Sequence, residues 1–113
     1  MLLQKGDKLL IAHRRLFQGD AERYFIGSVE AYDQGVVRII GHTWVHDVAH
    51  GKLIRKEDKR CKIISLVSGS LLTYQLPAHV AVDLLRIEQH KQHLVLTGGD
   101  NFIMDISDRV AIA

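Results

Sequence analysis

Cysteine occurs once in this chain, as Cys61, so no internal disulfide framework can form and a reducing cytoplasm is the expected compartment. Proline also occurs once, at Pro77, and there is no Gly/Ser-rich linker or low-complexity run, which argues against disordered and collagen-like chains. No apolar run approaches the roughly 20 residues needed to span a bilayer. The opening Met1-Leu2-Leu3-Gln4-Lys5-Gly6-Asp7 has no basic stretch leading into an apolar one, so no secretory signal and no membrane partner are expected. Neither sign of charge dominates: Lys and Arg number 15 and Asp and Glu 13, a net of +2 with neutral histidines. A Gly-x-Ser-x-Gly elbow and a Gly-x-x-x-x-Gly-Lys phosphate loop are both missing. No internal repeat of solenoid length is present. What remains is 113 residues of ordinary globular composition, 47% hydrophobic and 25% charged, enough for a single domain over 1–113.

The nine glycines act as punctuation between short runs rich in Val, Ile, Leu, Tyr and Phe, the pattern of strands joined by tight turns. Lys8 to Leu16 reads as a first strand, with a loop at Gln18-Gly19-Asp20. Arg23 to Tyr32 alternates, with Phe25, Gly27, Val29 and Ala31 on one face and Ile26, Ser28 and Glu30 on the other. Asp33-Gln34-Gly35 is a hairpin turn in which glycine can supply a positive φ, and Val36 to Val45 returns beside it. The polar, basic stretch from His46 to Arg60 reads as the longest irregular segment. Cys61 to Val67 is a further strand, broken or bent at Gly69, and Ser70 to Leu76 continues until Pro77 stops it. Val80 to Ile87 fits a helix and a strand about equally; a loop followed by a strand from about Leu84 to His90 is the reading adopted. His93 to Thr97, the turn Gly98-Gly99-Asp100-Asn101 and Phe102 to Ile106 form a C-terminal hairpin.

Several of these strands are apolar on both faces. Val37, Ile39 and Val45 lie on one side of the third, with Val36, Ile40 and Trp44 on the other, and in the fourth Ile63 and Val67 oppose Ile64 and Leu66. A sheet with one solvated face alternates more cleanly. Something must cover the second face, either the C-terminal hairpin or another copy of the chain, and a domain this small has little chain to spare. A homo-oligomer is therefore expected.

Two segments together resemble the Sm-like family of small β-barrels. Phe25-Ile26-Gly27-Ser28-Val29-Glu30-Ala31-Tyr32-Asp33 is similar to the family's first motif, and Leu66-Val67-Ser68-Gly69-Ser70-Leu71-Leu72-Thr73-Tyr74-Gln75-Leu76-Pro77 to its second. The resemblance covers about Gly6 to Pro77; the last 36 residues have no counterpart in the minimal fold. It implies a strongly bent five-stranded barrel whose edge strands pair between subunits in a ring, which removes two exposed sheet edges at once. It also implies RNA binding, but the residues that would read a base differ. Gln34-Gly35-Val36-Val37 contains no Asn where the first motif has one, and Ser68 stands where the second has Arg. The fold is carried over and the base-recognition site is not.

Two constellations could carry chemistry. The segment Lys52, Arg55, Lys56, Lys59, Arg60 and Lys62 sets six cations against Glu57 and Asp58 alone, an excess of four that is twice the net of the whole chain. Clustered cations attract phosphates through counterion release, and Arg14 and Arg15 could add to them. Stacking aromatics are not interleaved with these charges, and Trp44 and Tyr74 read as packing residues. The second constellation is His42, His46 and His50, four apart among seven histidines. Imidazole is a common ligand for zinc, copper or nickel, but the run crosses from a strand into a loop near Asp47 and Gly51. Cys61, between Arg60 and Lys62, begins an apolar strand and reads as a buried, inert thiol. Asp33 and Asp100 read as turn residues.

The sequence thus predicts an all-β protein: a small Sm- or SH3-like barrel with an added C-terminal β-hairpin. It is expected to be a cytoplasmic, homo-oligomeric binding module without cofactors, presenting a basic loop over 52–62 to an anionic partner such as nucleic acid. The alternative is a metal- or ligand-dependent enzyme or sensor using His42, His46, His50 and carboxylates such as Asp47.

Overall fold

The computed structural model describes residues 2–13, 23–47, 49, 51–67, 69, 71–90, 93–98 and 102–106. The apolar, β-branched runs become eight strands: β1 (Lys8–His13), β2 (Arg23–Asp33), β3 (Val36–Asp47), β4 (Lys52–Ser65), β5 (Leu71–Leu76), β6 (Arg86–His90), β7 (His93–Thr97) and β8 (Ile103–Asp105). A single 3-10 turn, Val82–Leu84, separates β5 from β6, and no α-helix occurs among the described residues. The described residues are all-β, as the short apolar runs between glycines predict. Among the described residues, no helix is long and apolar enough to cross a membrane.

The first five strands form one antiparallel sheet in the order β4-β3-β2-β1-β5. Its β2–β3 hairpin turns through Gln34 at φ 48° and Gly35 at φ 84°. Two positive-φ residues in a two-residue loop match the right-handed twist of the flanking strands. Bulges interrupt β2 between Val29 and Ala31 and the β3–β4 pairing between His42 and Trp44, and each sharpens the local bend. The first bulge shifts the register beyond Val29, so the alternation expected from Phe25 through Ala31 ends at Val29.

Gly27 and Gly41 lie directly opposite one another across β2 and β3. A Cβ on Gly41 would stand 1.9 Å from the Ile26 carbonyl oxygen, and one on Gly27 2.3 Å from that of Ile40. No side chain fits between backbones this close, so the glycine pair permits the strands' approach.

One face of this sheet gathers Leu9, Ile11, Phe25, Val29, Val37 and Ile39, with Leu3, Ile64, Leu66 and Leu71 packed beside them. Among the described residues β6, β7 and β8 contribute nothing to this cluster, yet Leu9, Val37 and Ile39 are 0% exposed, so the sheet curls around it. The curl stops short of closure, because no ladder joins β4 to β5. The barrel expected from sequence is thus an open, curled sheet with two edges. Closing it within one chain would need a pairing that β4, paired on one side to β3 alone, does not make.

The opposite, convex face carries Leu10, Tyr24, Ile26, Trp44 and Leu53, and these pack with Leu76, Val80, Leu85, Ile87, Leu96 and Ile106. The last four come from the C-terminal part of the chain, where β6, β7 and β8 form a second, three-stranded antiparallel sheet. The second apolar face is therefore covered from within the chain. Burying Leu96, at 0% exposure, is worth about 1.5–3 kcal/mol in this position. The Lys8 ammonium fastens the connection between the sheets by donating to the carbonyls of Ala78, at 2.6 Å, and Val80.

The largest departure from the sequence reading is the segment 46–60. It is not an irregular loop: β3 runs on to Asp47, and β4 begins at Lys52 and continues for 14 residues. It lacks apolar alternation because β4 is an edge strand. Its outward positions meet water, and charged side chains there blunt unwanted pairing. The loop predicted at Gln18-Gly19-Asp20 and the turn residues Gly99, Asp100 and Asn101 lie outside the described residues. Gly98 accepts its place in that turn by donating its N–H to the Phe102 carbonyl at 2.9 Å.

Candidate functional site

All six cationic residues singled out in the sequence lie on β4, but the strand divides them between its two faces. Residues that pair across strands point the same way. Arg55 pairs with Trp44, and Lys59 with His42, which itself faces Ile26, so these two cations stand on the convex side. There the Arg55 guanidinium donates to the Asp83 carbonyl at 3.2 Å. Arg60 and Lys62 alternate onto the concave side, and the Lys62 ammonium sits 4.7 Å from the centroid of the Phe25 ring, a cation–π contact. Lys56 belongs to the bulge, where Lys56, Glu57 and Asp58 together oppose the single Thr43. Lys52 pairs with Asp47 beside the β3–β4 turn.

The electrostatics follow this division. On the concave side, burial holds the Lys62 ammonium below its ordinary pKa, and Arg23, Arg60 and Lys56 add repulsion. Burial likewise lowers the His13 imidazole, helped by Arg23 and Lys62. On the convex side, burial lowers His42, Arg55 and Lys59 lower it further, and Asp83 partly opposes them. Arg60 shares its charge with Asp58 at 3.1 Å in an exposed ion pair of small energetic consequence.

Among the described residues, the histidines do not assemble into a ligand set. His42 and His46 share the convex side of β3, through their pairing with Lys59 and Leu53, while the His50 side chain lies outside the described residues. Among the described residues, no three His, Cys, Asp or Glu side chains lie together in a way that could hold a metal. Asp47 instead serves the turn, its carboxylate accepting from Ala49 N–H at 3.1 Å and its carbonyl from Gly51 N–H at 2.8 Å. Cys61 is exposed, contrary to the buried thiol expected, because it stands on the edge strand with no strand beyond it among the described residues. Trp44 and Tyr74 pack in the convex-side cluster as expected. Arg14 and Arg15, and Ser68 of the second motif, lie outside the described residues.

An open groove of about 580 Å³ lies on the convex side, lined by Lys5, Lys8, Glu30, Ile40, Lys59 and Asp83 among others. It mixes both signs of charge, and Lys8 is already engaged by two backbone carbonyls. Charge of one sign concentrates on the other side of β4 instead.

Two residues of that concave-side cluster, His13 and Arg23, were not singled out from sequence. The available signal is alternation: His13 is two residues from Ile11, and Arg23 two from Phe25, so both belong to the face that β1 and β2 turn toward Lys62. Compared with protein-family models, curated proteins and solved structures, the chain matches none.

Proposed function

We propose that this chain is a non-enzymatic binding module, Sm-like in its first five strands, that assembles with copies of itself and presents the cationic side chains of β4 to nucleic acid. One observation carries the reading: β4 is a 14-residue edge strand that bears Lys52, Arg55, Lys56, Lys59, Arg60 and Lys62 against only Glu57 and Asp58. A strand of that composition repels a second copy of itself and attracts a polyanion. The five-stranded sheet with β4 and β5 at its edges supports the Sm-like part of the reading. Self-assembly is supported by the same two edges: β5, Leu71-Leu72-Thr73-Tyr74-Gln75-Leu76, carries no charge and offers β4 a partner without repulsion.

Fluorescence anisotropy with labelled single-stranded RNA and DNA tests the partner. Binding is expected at low ionic strength, with log affinity falling linearly against log salt, at a slope of about −0.7 per neutralised phosphate contact. Replacing Lys56, Lys59 and Arg60 with Gln should weaken binding to every sequence alike and flatten that slope. Binding that is absent at low salt, or that ignores these three substitutions, refutes the reading.

A further inference from the structure

We propose that His13, Arg23, Arg60 and Lys62 form an oxyanion subsite at the rim of the concave face, one that seats a phosphate group and takes up a proton at His13 as it does so. The proposal rests on the binding reading above, but it names a site that reading does not contain. Three strands distant in sequence supply the residues: His13 ends β1, Arg23 opens β2, and Arg60 and Lys62 lie on β4. Alternation sets His13 on the face of Ile11 and Arg23 on the face of Phe25, and Lys62 is held over the Phe25 ring at 4.7 Å. The floor beneath is apolar, with Phe25 at 2% exposure and Ile11 at 1%, so the cations stand on a low-dielectric base that strengthens their field.

The members of the group repel one another. Arg23 and Lys62 both disfavour a charge on His13, and Arg23, Arg60 and Lys56 disfavour that on Lys62. From β2 the group facing His13 is Arg23, and from β4 it is Lys62; on β5 its register partner Leu71 is uncharged. Among the described residues, the carboxylate paired within this group is that of Asp58, on Arg60. Burial is the larger cause of the lowered His13 pKa and stays in place, but an anion seated among these side chains offsets the repulsion and so raises that pKa from its lowered position. Linkage then requires that a fully ionised anion bind more tightly as the pH falls. Phosphodiesters and sulfate both stay ionised throughout this range, so only the protein titrates.

The test follows the His13 ring by proton NMR on the intact chain, its resonance assigned through its loss in His13→Gln. Sodium sulfate is the oxyanion probe, and sodium chloride at equal ionic strength controls for screening. Sulfate is expected to raise the His13 midpoint beyond the chloride value, and Arg23→Gln to abolish the difference. A midpoint that moves equally in sulfate and chloride, or a sulfate effect that survives Arg23→Gln, overturns the proposal. A labelled oligothymidine in anisotropy forms the second arm. Its affinity is expected to rise about tenfold on going from neutral to mildly acidic pH, one extra favourable charge contact, and His13→Gln to remove most of that gain. The sulfate arm decides the subsite and the oligothymidine arm decides the partner. A sulfate response without oligothymidine binding keeps the subsite and refutes nucleic acid as its ligand. Oligothymidine binding without a sulfate response keeps the basic strand and refutes the subsite.

Discussion

Gly41 shows how much of the sheet's geometry one missing side chain controls. Its nearest neighbours are the backbone atoms of Ile26 and Gly27, not the flexible end of a side chain, so an added methyl cannot be accommodated by a rotamer change. Gly41→Ala is expected to force the β2–β3 pairing apart and to cost about 2–3 kcal/mol, read as a lower urea midpoint. Gly35→Ala acts by another route, through its φ of 84° and a contact of 3.2 Å with Val67, and should cost less. Equal stability of Gly41→Ala and the parent chain would show that the close approach is dispensable. Gly35 was legible as a glycine with a task, because a turn of Asp-Gln-Gly is a local pattern. That Gly27 and Gly41 face one another was not, since the register of a hairpin follows from its turn geometry and the bulge beyond it. The six cations of β4 were legible individually; their division between two faces was hidden by the bulge at Lys56, Glu57 and Asp58, which resets the alternation.

The second sheet matters through what it covers. β7 has Leu96 buried and β6 has Ile87, and these side chains share one core cluster with Ile26 and Trp44 of the first sheet. Trp44 is the only tryptophan, at 6% exposure, and so reports directly on that contact. Leu96→Ala is expected to cost about 2–5 kcal/mol and to shift Trp44 emission to the red as water reaches the cavity. A loss of stability with unchanged emission would place the Trp44 environment under other control. The C-terminal hairpin was legible from the pattern around Gly98 and Gly99. Its docking partner was not, because an apolar strand face records that it must be covered and leaves open by what.

For the molecule as a whole, the reason to expect self-association has changed. The sequence argument rested on a second apolar face without cover, and β6–β8 supply that cover. Among the described residues, the larger sheet keeps two edges without a ladder partner, β4 with its cations and β5 with none. Light scattering is therefore expected to give a multiple of 12.8 kDa that depends on concentration, and added RNA to favour the larger species by offsetting repulsion among the β4 strands. A mass of one chain at all concentrations, with and without RNA, would refute assembly through these edges.

The sequence by itself determined the all-β class, the β2–β3 turn, the C-terminal hairpin and the excess of positive charge between 52 and 62. Each is written in neighbouring residues: alternation of period two, a glycine where φ must be positive, a run of Lys and Arg. Only the tertiary structure decided that this charged run is an edge strand, that the curled sheet stays open, and that the chain shelters its own convex face. It alone brought His13 and Arg23 to Lys62. These outcomes depend on pairings such as Lys8 with Leu76, between segments far apart along the chain. Their free energy is shared among many residues on both sides, so no short stretch of sequence carries the signal.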